Sequence, residues 1–407
     1  GQFAGPSTTS KKQGTIKMPT IKEHIEQYTE ELKQWRHDIH AHPELGFEEN
    51  RTADFVAQKL QEFGVQVHRN IGKTGLVGVL RVGNEPDAIG LRADMDALPI
   101  AEQNEFEHRS QEHGKMHACG HDGHTTMLLG AARYLSETKN FRGQVNFIFQ
   151  PAEEGIGGAK AMIDDGLFEQ FPCDSVFAMH NAPGLPVGQF SATPGVVAAA
   201  GAFFDIDIEG VGAHGAHPEN GVDPVIIGSQ IVTAIQTVVS RNLRARDAAV
   251  VSITQFHAGD AYNVIPSKAR LSGTVRTFSK QVMSRTEERM RELASTIAKG
   301  FGGTARIDFR PIFAPVVNDE KEAQFAADVC SSLVGPNNVH TNSPPGTGSE
   351  DFSYMLEQVP GCYVLIGNGE NRHPVHHPQY DFNDHASVFG ASFFAELVEK
   401  RLQPNSP

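Results

Sequence analysis

The chain has 407 residues, of which 39% are hydrophobic, enough for a large core and for more than one ordinary domain. Its formal net charge is −14, and Lys and Arg are scattered rather than striped, which argues against nucleic acid as a partner. No apolar run approaches the ~18 residues of a membrane span, so no membrane partner is expected.

Residues 1–17 are small, polar and basic ("GQFAGPSTTSKKQG") and read as a disordered or appended arm, without the apolar centre of a signal peptide. From Ile21, helical and strand signals alternate. "IEQYTEELKQWRHDIH" has helical spacing, as does "RTADFVAQKLQEFG", which stops at Gly64. The apolar runs "LVGVLRV", "AIGLRAD", "QVNFIFQ" and "SVFAMHN" read as strands, with the helical stretch "TTMLLGAARYLSE" among them. Strands alternating with helices predict an α/β fold with a mostly parallel sheet.

A different pattern follows from Gln189. Strand "FFDIDIEG", helix "DPVIIGSQIVTAIQTVVS", strands "VVSITQFHAG" and "ARLSGTVRTF", helix "QVMSRTEERMRELASTIAKG" and strand "ARIDFRP" give the order β-α-β-β-α-β, a ferredoxin-like unit. An inserted domain over 191–310 is therefore expected, within a first domain formed by 18–190 and 311–407. The tail returns to α/β character with helix "EAQFAADVCSSL", strand "CYVLIGN" and helix "ASVFGASFFAELVEKRL".

Cys119, Cys173, Cys330 and Cys362 are far apart, with no CxxC. That spacing suits neither a disulfide framework nor a structural zinc knuckle, and a reducing cytoplasm fits it best. The 19 histidines are a high count, and they cluster. "HACGHDGH", His117 to His124, sets one cysteine and three histidines just before a helical stretch.

Position gives these residues meaning. Open α/β sheets build sites beyond the carboxyl ends of their strands. "QVNFIFQPAEEG" puts Glu153 and Glu154 past such an end, "AIGLRADMD" does so for Asp94 and Asp96, and "SVFAMHN" for His180. Of two adjacent glutamates, one can hold a metal while the other takes a proton from an activated water. An isolated "EE" is more often a solvated turn; Pro151, Gly155 and the neighbouring ligand-rich loops favour the site. A lone Cys or His is more often a buried small residue, a cap or a surface group. Four ligand-type side chains with two glycines make the metal reading stronger. "HPVHHPQYDFND" adds His373, His376 and His377 after the last strand.

Nine stretches in order, among them "RHDIHAHPELGFEE", "LRADMDALPI", "HACGHDGHTTMLLGAA", "FIFQPAEEGIGGAKAMIDDG", "GTVRTF", "GSEDFSYM" and "VHHPQYDFND", resemble the co-catalytic metal amidohydrolases of the aminoacylase and carboxypeptidase group. The branch is that of hippurate hydrolases, N-acyl-amino-acid amidohydrolases and indole-acetyl-amino-acid hydrolases. The resemblance implies a dinuclear metallohydrolase domain with an inserted lid and dimerisation domain. It implies two divalent ions per subunit, zinc or manganese first and cobalt or nickel next, held by Cys119, His121, Glu154, His180 and His376. It implies Glu153 as general base, with Asp96 supporting the metal site. It leaves Asp94 near a position where more distant relatives carry a ligand histidine. His214 in "GVGAHGAHP" would polarise the scissile carbonyl, often from the partner subunit, and Asn263 and Arg276 would hold the substrate's amide and carboxylate. His217 precedes its proline, where the family usually has a histidine after it.

The reading is thus metal-dependent hydrolysis of N-acyl amino acids to a carboxylic acid and an amino acid, by a homodimer or higher homo-oligomer. A dipeptidase or an N-acetyl-diamino-acid deacetylase shares the same site chemistry. A non-catalytic metal-binding protein fits less well, because a metal store has no use for Glu153 beside Glu154.

Overall fold

Apolar runs that stay buried on both sides build the first sheet. The computed structural model describes residues 17–404 and gives this sheet eight strands. Their spatial order is Gln66–Arg69, Leu76–Val82, Gly143–Gln150, Ala88–Asp94, Ser175–Ala182, Gly361–Gly367, Phe190–Ser191 and Val339–His340. The four central strands, Gly143–Gln150 to Gly361–Gly367, are mutually parallel, and antiparallel neighbours flank them. Their carboxyl ends therefore share one edge.

Successive residues of a strand serve opposite faces. Phe147 and Phe149 join a core with Leu32, Val56, Leu128, Ala326 and Phe393, one from each of five helices. Ile148 points the other way, to Met162 and Phe352 on the short helices Gly158–Asp164 and Phe352–Gln358. The sheet is covered on both faces, as its unbroken apolar strands require.

The helical signal "IEQYTEELKQWRHDIH" is not one helix but two, Ile21–Glu26 and Thr29–Ala41. The Thr29 hydroxyl donates to the Glu26 carbonyl at 2.7 Å, offering the backbone an alternative to the helix ladder at the break. The arm expected over 1–17 lies outside the described residues except for Lys17.

The second sheet has four antiparallel strands in the order Ala249–Ala258, Lys268–Thr277, Ala200–Glu209 and Thr304–Phe313. Phe204, Ile206 and Ile208 are buried under helices Pro224–Thr237 and Lys280–Gly300, while Asp205, Asp207 and Glu209 alternate to the open face. This core is separate from those of the first sheet. Between the sheets the chain leaves through Gly195–Ala198 and returns through Val316–Asn318, which pair as an antiparallel ribbon. Among the described residues no helix is long and apolar enough to cross a membrane.

Candidate active site and metal centre

The shared sheet edge gathers most of the expected side chains. Glu153 and Glu154 follow strand Gly143–Gln150, and Asp96 follows Ala88–Asp94. Two expectations of position need correction. His180 lies inside strand Ser175–Ala182, and Asp94 is the last strand residue, so neither is past a strand end. The cysteine–histidine stretch does not all precede the helix, which spans His121–Thr138 and so includes His121 and His124. Gly120, in the left-handed region at φ 90°, makes the abrupt entry that a side chain would resist.

Hydrogen bonds fix which imidazole nitrogens remain free. His121 Nδ1 faces two acceptors, the Asp96 carbonyl at 2.8 Å and Asp96 Oδ1 at 3.1 Å, so it donates. Its Nε2 is buried, makes no hydrogen bond among the described residues and lies 3.5 Å from Asp94 Oδ2. His180 Nδ1 donates to the Asn181 carbonyl at 2.8 Å, leaving Nε2 3.3 Å from Cys119 Sγ. Glu154 Oε1 is buried and lies 3.9 Å from His121 Nε2 and 3.3 Å from His376 Nε2. Cys119, His121 and His180 form one cluster of convergent donors, and Cys119, Glu154 and His376 another. His124 is different: its Nε2 accepts the Asn181 N–H at 3.0 Å and its Nδ1 donates to Asp94 Oδ1 at 2.7 Å, so both nitrogens are used.

Charge makes the same point. Asp94, Asp96, Glu153, Glu350 and Asp351 are buried together with the largely buried Glu154, and Arg92 is the buried cation among them. Arg92 pairs with Asp94 at 3.1 Å, Glu350 at 2.7 Å and Asp351 at 3.3 Å. So large an excess of buried carboxylate calls for cations. Burial alone would lower His121, but the Asp94, Asp96 and Glu154 carboxylates outweigh it and raise the imidazole to about 10. Burial, then the Glu154 and Glu153 carboxylates, hold the Cys119 thiol well above its usual range; a bound cation reverses that balance. Convergent imidazole nitrogens, a thiol and a carboxylate oxygen around one anionic space fit divalent metal ions.

Glu153 and Glu154 are tuned apart. Burial, followed by the carboxylates of Glu350 and Glu154, pushes Glu153 well above the ordinary range. For Glu154 burial acts upward, but pairing with His376 and His121 outweighs it and holds the group low.

A cavity of about 600 Å³ opens over these groups, within the range of ligand pockets. Cys119, Glu153, Glu154, His180 and His376 line it, and so does Arg276 from the second sheet. Phe203, Phe313, Val375 and Leu365 make much of the remaining wall apolar. Arg276 bonds only to the Val275 carbonyl, at 3.1 Å, and makes no ion pair among the described residues. His214 and Asn263 do not line the cavity. They meet instead at a small two-stranded antiparallel sheet, where His214 pairs with Val264 and the Gly215 N–H donates to the Asn263 carbonyl. The register of this small sheet ties these two residues to each other rather than to the edge of the first sheet.

Sequence reasoning missed the roles of Arg92, Glu350 and Asp351. Their signal was "GSEDFSYM", whose acidic pair meets Arg92 only after folding across 258 residues.

The model of peptidase family M20/M25/M40 matches residues 90–400. The chain belongs to this family. It is a hydrolase by membership. It is 44% identical to a hippurate hydrolase of Campylobacter jejuni over 374 residues, covering 92% of this chain and 97% of that protein. It is 38% identical to an N-acetylcysteine deacetylase of Bacillus subtilis, covering 90% of this chain and 96% of that one. Among solved structures, a dinuclear metal-binding M20 peptidase of Bacillus subtilis superposes with a TM-score of 0.81 at 34% identity, covering 93% and 99% of the two chains.

Proposed function

We propose that this M20 hydrolase cleaves the amide bond of N-acyl amino acids, releasing a carboxylic acid and a free amino acid. One observation carries the reading: Glu153, the metal-type donors Cys119, Glu154, His180 and His376, and Arg276, which makes no ion pair among the described residues, line one cavity. The names of the hippurate and N-acetylcysteine relatives support the same substrate class. Cys119, His121, Glu154, His180 and His376 would hold two divalent ions, zinc or manganese in the first instance. When bound, such ions supply Lewis acidity to the scissile carbonyl and make water a stronger acid. Glu153 accepts the proton of the attacking water at a carboxylate oxygen and delivers it to the leaving nitrogen. Asp96 orients His121 through Nδ1 and holds the Glu154 N–H at 3.0 Å, so it keeps two donors aimed. Arg276 binds the free carboxylate through both ends of its guanidinium fork. The apolar wall excludes water and receives an apolar acyl group or side chain.

A homodimer or higher homo-oligomer belongs to this proposal. His214 and Asn263 lie off the cavity of their own chain, so a contact with substrate would come from the partner copy, with the second sheet's unit acting as lid and interface. Four free thiols suit a reducing cytoplasm. The test is to load the protein separately with Zn²⁺ and Mn²⁺ and incubate it with N-acetyl, N-benzoyl and N-indolylacetyl amino acids and with dipeptides. Free amino acid is read by mass spectrometry. Release from acyl amino acids supports the reading; release from dipeptides alone makes the enzyme a dipeptidase; no release with either metal contradicts it.

A further inference from the structure

We propose that Glu49 is a positioning residue that holds the turn carrying Glu153 in its working shape. The inference rests on Glu153 as the proton carrier. Glu49 belongs to the stretch "HPELGFEEN", for which the mechanism above has no use. It is fully buried. One carboxylate oxygen accepts the Ala152 N–H at 2.7 Å, and the other accepts the Thr74 hydroxyl at 2.5 Å. Ala152 immediately precedes Glu153 and adopts φ 49°, in the left-handed region that is unfavourable for a non-glycine residue. It is itself buried, and Glu49 is the acceptor of its N–H among the described residues. A buried N–H without an acceptor costs about as much as a lost hydrogen bond, so Glu49 is what makes this conformation tolerable. Strain of this kind persists only where the surroundings impose it.

The surroundings are close. A Cβ on Gly46 would meet the Ala152 Cβ at 3.0 Å and Ile156 at 2.8 Å, so the Gly46–Glu49 turn lies directly against the Glu153 turn. The same segment reaches the other half of the site: the Glu44 carbonyl accepts the Ala97 N–H at 2.8 Å, next to Asp96. One turn thus braces both carboxylate-bearing turns, 103 residues away at Ala152 and, past the end of strand Ala88–Asp94, at Ala97. Burial pushes Glu49 up to about 7, and an oxygen remains to accept the Ala152 N–H whether or not the group carries its proton.

Three variants test this: Glu49→Gln, which imitates the neutral acid; Glu49→Leu, which keeps volume without an acceptor; and Glu49→Ala. Kinetics on an N-acyl amino acid are combined with metal content and thermal melting. The Leu and Ala variants should lose roughly tenfold or more in kcat, with KM within about threefold and metal per subunit unchanged, because misplacement of ~1 Å can cost 10²-fold. Glu49→Gln should recover to within about threefold of wild type. Native kcat in the folded fraction of the Leu or Ala variant overturns the proposal, as does a Gln variant no better than Leu. An inactive wild type in the same assay would instead contradict the hydrolase reading and leave Glu49's hydrogen bonds as structural support only.

Discussion

Glu153 and Glu154 are neighbours in sequence and opposites in environment. Glu154 looks toward His121 and His376, and Glu153 toward the Glu350 and Asp351 carboxylates. Pairs whose settings drive them apart divide the labour of holding and moving charge. The substrate end of the cavity is set at equally fine grain. Gly201 sits where an added Cβ would lie 2.9 Å from Ser349 Oγ and 3.3 Å from Arg276 Nη1 and from the Phe313 ring. Gly201→Ala should therefore crowd Arg276 and raise KM for an N-acyl amino acid by roughly tenfold with a smaller change in kcat; an unchanged KM would show that Arg276 does not meet the substrate. At this scale the sequence was readable where one strand delivered the group, as for Glu153, Glu154 and Asp96. It was opaque for Gly201, Ser349 and Glu49, whose importance lies in contacts made across the fold.

The helix His121–Thr138 shows what an element adds. Its first turn sets His121 beside Cys119 and His180 and puts Asp122 into a separate buried network. Asp122 accepts from Arg36 at 3.2 Å and pairs with His40 at 2.8 Å, while His40 also meets Glu102 at 2.9 Å. Gly123 lies flat on the Phe382 ring, which an added Cβ would meet at 2.4 Å. Burial alone would lower His40, but the Asp122 and Glu102 hydrogen bonds outweigh it and raise the imidazole from 6.5 to about 9. The folded state therefore binds this proton more tightly than the unfolded one. Its stabilisation is complete below about 6.5 and is lost as pH rises through about 9. Melting temperatures of wild type and His40→Asn should accordingly converge between pH 7 and 10. A gap independent of pH would mean that His40 is neutral in the fold. The sequence revealed the helix by its periodicity but not its start, because a left-handed Gly120 lets the helix begin inside the ligand stretch.

At the scale of the molecule, two units with separate cores share one cavity. Phe203, Arg276 and Phe313 come from the second unit and face Cys119 and Glu154 of the first. The change from long apolar runs to strict alternation at "FFDIDIEG" made the second unit legible in the sequence. The ribbon joining the units was not legible, since Gly195–Ala198 and Val316–Asn318 are too short to carry a period. The proposed homodimer or higher homo-oligomer predicts a species of at least two copies in sedimentation velocity. The outer strand Ala249–Ala258 exposes Val250 and Phe256, so Val250→Lys should shift the chain toward monomer and reduce turnover while metal content stays constant. A fully active monomer would remove the need for His214 and Asn263 from a partner.

The most direct measurement compares wild type with Glu153→Gln at matched, determined metal content, following release of free amino acid from an N-acyl amino acid. The account predicts unchanged metal and a loss of roughly 10²–10⁴ in turnover, because the donors remain and the proton carrier is gone. Turnover near wild type at full metal content would contradict it.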